Sequence, residues 1–85
     1  MKLYLVLAMR KPSFDDAVIA PHIAFLNALD AKDQLYLTGG FSDGTGGAYV
    51  LKNIETLEAA KAVVAADPLA LHGSSELIIH EWNTR

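Results

Sequence analysis

Residues 34–53 read QLYLTGGFSDGTGGAYVLKN, and this stretch decides the fold. Gln34–Phe41 and Ala48–Asn53 are short runs of aliphatic and aromatic residues, the composition of strands. Between them Ser42–Gly47 supplies Asp-Gly and Gly-Gly, both hairpin signals. The stretch is therefore a hairpin, and its loop is the kind of segment that often carries function.

Outward from the hairpin, each side carries a helix and then a strand. Upstream, Ser13 is a plausible N-cap, with Asp15 and Asp16 placed to favour a first turn. The helical pattern runs on to about Asp30. At 100° per residue, Phe14, Val18, Ile19, Phe25, Leu26 and Leu29 share an arc of about 140°, the expected core face. Pro21 interrupts the pattern, so a break or kink is expected near residues 19–21, with helix resuming through His22. Downstream, Asn53 or Glu55 opens a second helix through about Ala66, rich in strong helix formers. Asp67-Pro68 stops it, because the residue before proline avoids the α region. Leu69–His72 reads as one short turn, closed by Gly73.

The outermost elements are strands at Lys2–Met9 and Ser75–Trp82. In the first, both parities are apolar: Leu3, Leu5 and Leu7 on one face, Tyr4, Val6 and Ala8 on the other. A strand buried on both sides lies centrally in a sheet covered on both faces. The order β-α-β-β-α-β, with no linker or repeat, predicts one domain over residues 1–85. The expected fold is α+β and ferredoxin-like: a four-stranded antiparallel sheet with both helices on one face. Two helices cover one face only, so a homodimer through the other sheet face is expected.

Composition points the same way. Of 85 residues, 52% are hydrophobic and none is cysteine, which removes disulfides and thiolate metal sites. A domain this small buries only roughly 60% of its unfolded surface, and oligomerisation is the remaining rescue. Seven Lys and Arg face ten Asp and Glu, and the basic residues form no stripe, so nucleic acid is not an expected partner. No apolar run approaches the roughly 20 residues of a membrane span. The start MKLYLVLAMRK resembles a signal peptide briefly, but Tyr4 breaks the run and no small-residue cleavage site follows. A cytoplasmic location is the expectation.

His22 is the most informative residue. On the wheel it lies between Leu29 and Leu26, inside the core arc. There it must find a hydrogen-bond partner or lose its charge by burial. The plain alternative is a satisfied core histidine. Asp67 is the second candidate; the plain reading is a helix stop, yet an Asp beside a buried His fixes its tautomer for proton transfer. Gly39 and Gly40, at a strand end, would let a ligand approach the backbone closely, and with Phe41 they are the expected substrate-binding positions. Tyr4, Tyr36, Tyr49 and Trp82 would line a pocket or, more commonly in strands, fill the core. His22, His72 and His80 lack metal-ligand spacing, the GTGG run lacks a following helix, and the serines show no nucleophile elbow.

In order and spacing, the chain resembles the YCII-related (YciI-like) family. The pieces that carry this are Leu3–Ala8, His22 with Phe25, Leu26 and Leu29, and Leu35–Gly40, followed by Leu57–Ala60, Ala66-Asp67-Pro68, Gly73 and Trp82. The resemblance implies a dimeric α+β barrel fold and an active site pairing His22 with Asp67. Two positions depart from the family pattern: Ile19 stands where many members carry Arg, and Leu69 where many carry an aromatic residue. With no metal, flavin or nicotinamide motif in the chain, the expected protein is a small enzyme without a cofactor. It would use His22 and Asp67 for acid–base proton transfer, of isomerase or lyase type, on a small polar or aromatic metabolite. Alternatives are a non-catalytic small-ligand-binding module and a cofactor-free monooxygenase of the same barrel fold.

Overall fold

The computed structural model describes residues 1–85. Its sheet is built around β1 (Lys2–Arg10), flanked by β3 (Gly46–Leu51) and β4 (Ser75–Asn83), with β2 (Leu35–Gly40) outside β3. All neighbours are antiparallel and the order is β2-β3-β1-β4. This is the expected ferredoxin-like arrangement. Central placement of β1 follows from its doubly apolar sequence. Tyr4, Val6 and Ala8 are buried on one face, while Leu5, Leu7 and Met9 stay half-buried on the other.

The helices are α1 (Ile19–Ala31), α2 (Leu57–Ala65) and a four-residue α3 (Pro68–Leu71). Leu26 and Leu29 of α1 and Ala60 and Val64 of α2 pack with Tyr4, Val6, Tyr49 and Leu51 in the main core. A smaller cluster joins Ala8, Val18 and Leu69.

The chain enters α1 differently from the sequence expectation. Asp15, not Ser13, caps a 3-10 turn at Asp16–Val18, its side chain accepting the Ala17 N–H at 2.9 Å. The α-helix then starts at Ile19, with Pro21 in its first turn, where a missing N–H leaves no bond unmade. The break thus falls at residues 18–19. A 3-10 turn advances about 120° per residue rather than 100°. The turn thus changes the phase of the residues before α1 only; Ile19 belongs to α1, at the edge of the arc in its first turn, and borders the cavity, exposed, instead of packing in the core.

Two other boundaries move by a few residues. Thr56 caps α2, accepting the Ala59 N–H at 3.1 Å, so this helix opens later than Asn53 or Glu55. Strand β3 begins at Gly46 rather than Ala48. A Cβ at Gly46 would stand 2.0 Å from the Ala8 carbonyl oxygen, so only glycine lets the strands approach there. The hairpin turn is held by Asp43, which accepts the Thr45 N–H at 3.0 Å and its hydroxyl at 2.7 Å.

The sheet face away from the helices is apolar. Register places Leu5, Leu7, Val50, Leu37, Ile78 and Trp82 on it together. Leu37, Ile78 and Trp82 are 55%, 40% and 47% exposed in the single chain. No helix is long and apolar enough to cross a membrane.

Candidate functional site

His22 sits one residue after Pro21 in the first turn of α1, on the side facing the sheet. Asp67 ends the α2 connection and caps α3, with Pro68 as the first helical residue. The two side chains meet: His22 Nδ1 lies 2.9 Å from Asp67 Oδ1. The helices that carry them lie side by side on the same sheet face, and the Asp-Pro stop turns the carboxylate back toward α1.

Asp67 is completely buried, and three donors converge on it. The Leu69 N–H donates to Oδ1 at 2.9 Å, and the Tyr49 hydroxyl donates to Oδ2 at 2.8 Å. A buried carboxylate is tolerable only when satisfied in this way. With Asp67 as acceptor, His22 Nδ1 carries the proton, and in the neutral imidazole Nε2 keeps its lone pair. The His22 side chain is 15% exposed, and it lines a cavity of about 260 Å³ between α1 and the β2–β3 hairpin. Asp67 does not line this cavity; it acts from behind His22 and Tyr49.

Gly39 and Gly40 line the same cavity. By register Gly40 faces the helices with Tyr49 and Gly47, and a Cβ there would meet only the Gly46 carbonyl oxygen, at 3.9 Å. Phe41 does not line the cavity; it stands exposed where the hairpin turn begins. His72 caps the end of α3 and His80 projects from β4 on the bare sheet face. No group of three or more His, Asp or Glu residues stands together as a metal site would require.

Two residues were not singled out from the sequence. In the sequence Tyr49 is one of several strand aromatics, yet it completes the carboxylate's hydrogen bonding. Its ring also packs 5.9 Å from the His22 ring. A signal existed: a tyrosine on the core-facing parity of a strand needs a partner for its hydroxyl. Burial first, then the Asp67 charge and hydrogen bond, push the Tyr49 phenol far above its ordinary value of 10.0. The native state thus keeps a proton that the unfolded chain releases. That contribution to stability is present below about pH 10 and is lost as pH rises further. Tyr49→Phe should remove this alkaline component. At neutral pH it should cost about 1–3 kcal/mol, because Asp67 Oδ2 loses its donor. Urea midpoints of both proteins at neutral pH and above pH 10 test this; parallel alkaline losses would refute it.

The second is Arg10, which lines the cavity from the end of β1. Its parity with Tyr4, Val6 and Ala8 already pointed it to the helix side.

A ferredoxin-like sheet with a histidine–carboxylate pair beside a small cavity defines a class of small α+β proteins. Residues 2–83 match the family model of the YCII-related domain, and the chain belongs to that family. The uncharacterised protein YjpA of Bacillus subtilis (strain 168) is 46% identical over 85 residues, covering 100% of this chain and 99% of that protein. Among solved structures, 5-chloro-2-hydroxyhydroquinone dehydrochlorinase (TftG) from Burkholderia phenoliruptrix AC1100 aligns with a TM-score of 0.72 at 22% identity. It covers 95% of this chain and 93% of its own, and was solved in complex with 2,5-dihydroxybenzoquinone. An Arabidopsis thaliana protein aligns with a TM-score of 0.60 at 13% identity, covering 100% and 96% of the two chains. These likenesses show the fold alone, a ferredoxin-like α+β fold with a four-stranded antiparallel sheet.

Proposed function

We propose that this protein is a small cytoplasmic, cofactor-free enzyme that moves protons on a compact polar or aromatic metabolite. One observation carries the reading. His22 faces a cavity while its Nδ1 is tied to a fully buried carboxylate that two further donors hold still. A base oriented in this way differs from a histidine that has merely found a partner in the core. Its ring, held at Nδ1, borders space that a substrate can fill.

In the reaction, His22 Nε2 takes a proton from carbon. The electrons of that C–H bond form a double bond to the neighbouring carbon. In an elimination, the leaving group departs with its bonding pair, and His22 then releases the proton to solvent. In an isomerisation, the double bond shifts along the substrate and His22 returns the proton to a different carbon. Asp67 and Tyr49 are positioning residues: they fix the imidazole tautomer and stabilise the imidazolium that forms.

The test is deuterium incorporation in D2O, starting with 2,5-dihydroxybenzoquinone, the ligand of the dehydrochlorinase, and with small enolisable acids. Incorporation that depends on His22 supports the reading. Binding without incorporation, across compounds that perturb His22 resonances, would favour a ligand-binding module instead.

A homodimer through the bare sheet face belongs to the same reading, supported by the exposure of Leu37, Ile78 and Trp82 on one surface. Sedimentation at micromolar concentration should give a dimer, and Ile78→Lys should shift it to monomer. A wild-type protein that stays monomeric would refute the pairing.

A further inference from the structure

The cavity wall carries one permanent charge. Arg10 lines it, and no carboxylate does, since Asp67 is shut away behind His22. The ion pairs of the chain are Lys2–Glu81, His22–Asp67, Lys52–Asp33 and Lys61–Glu58, so Arg10 has no acidic partner. It is nevertheless held in place. Its guanidinium carbon lies 4.2 Å from the centroid of the Phe14 ring, and Phe14 lines the same cavity. Stacking on a ring uses the face of a guanidinium and leaves its in-plane N–H donors free.

From these observations we infer that Arg10 is the anion clamp of the site, and that the ligand is a small monocarboxylate with an apolar, ring-sized body. The inference rests on the proton-transfer reading for the role of His22, and adds the substrate class to it. A single cation matches a single negative charge. Its planar fork matches a carboxylate through two parallel hydrogen bonds. A phosphate dianion would call for more positive charge, and no second cation lines the cavity. Beyond the carboxylate, Phe14, Ile23, Leu26 and Leu69 offer apolar walls, and the strand glycines offer flat backbone. About 260 Å³ suits one ring with its substituents and excludes a dinucleotide. A ligand anchored at Arg10 has the rest of its body along the wall that contains His22.

The probes are benzoate and its uncharged isostere benzamide, titrated at millimolar concentration against the amide resonances of the cavity wall, Gly40 and Ile23. Benzoate should shift these resonances and bind about tenfold or more tightly than benzamide. Arg10→Met should lose that preference, and Arg10→Lys should keep part of it, since lysine retains charge without the fork. Failure of benzoate to bind the wild type, equal binding of benzamide, or undiminished binding by Arg10→Met would each overturn the inference. Deuterium incorporation into uncharged compounds that is indifferent to Arg10→Met would discard the clamp and leave the proton-transfer reading standing. An Arg10-dependent benzoate site without His22-dependent incorporation would do the reverse.

Discussion

His22→Ala is expected to lower turnover by about 10²–10⁴-fold, the usual contribution of a positioned general base. The fold should survive. The imidazole lies on a cavity wall rather than in the middle of the core, and Asp67 keeps its bonds to Tyr49 and Leu69 when the imidazole is gone. One lost partner on a buried carboxylate should cost about 1–3 kcal/mol, well short of unfolding. His22→Gln keeps a polar group at the same place and should be nearly as inactive, because an amide cannot take up a proton at neutral pH. Rate constants for the variants, measured beside their thermal melts, decide the matter. Turnover that persists in folded His22→Ala would remove the assignment of the base.

The largest stability loss is expected from Asp67→Ala. Three donors aim at this carboxylate: the His22 Nδ1–H, the Tyr49 hydroxyl and the Leu69 N–H. Removing the acceptor leaves these three donors, on buried or mostly buried residues, unpaired at about 1–3 kcal/mol each. The cap of α3 goes with it. A chain of 85 residues has roughly 4–13 kcal/mol to lose in total, so Asp67→Ala should be largely unfolded or close to it. Asp67→Asn keeps the shape and one acceptor oxygen. It should fold, with turnover sharply reduced, because an amide cannot stabilise an imidazolium as a carboxylate does. Urea denaturation separates the two variants. An Asp67→Ala protein as stable as wild type would show that the three hydrogen bonds do not carry this corner of the fold.

The element order was legible because each signal was local. The hairpin turn, the Asp-Pro stop and the doubly apolar first strand each act over a few residues. Only the ferredoxin-like sheet satisfies them together. The pairing of His22 with Asp67 came from residue types and from the resemblance; the 2.9 Å contact needed the fold. What stayed hidden depended on phase or on distance along the chain. Ile19 stands at the edge of the apolar arc in the first turn of α1, and only the fold shows that this edge borders the cavity rather than the core. Tyr49 and Asp67 are 18 residues apart, and only the crossover brings the hydroxyl to the carboxylate. Arg10 ends the apolar strand β1, and nothing local in the sequence ties its charge to a cavity, although strand parity places it on the helix side. Phe41 was grouped with Gly39 and Gly40 by adjacency, but the chain turns there and carries it off the cavity wall.

The double duty of Asp67 bears on how relatives of this chain should be compared. The same carboxylate caps α3, satisfies Tyr49 and orients His22. Selection for folding alone would keep it, so its retention in a relative says little about whether that relative is active. On the proposed reading His22 is under no such compulsion, because the fold is expected to survive its loss. Drift should therefore touch His22 first in lineages that abandon the chemistry, leaving an intact Asp67 behind as a relic of the fold. A relative with Asp67 and without His22 would mark a lost activity rather than a different one.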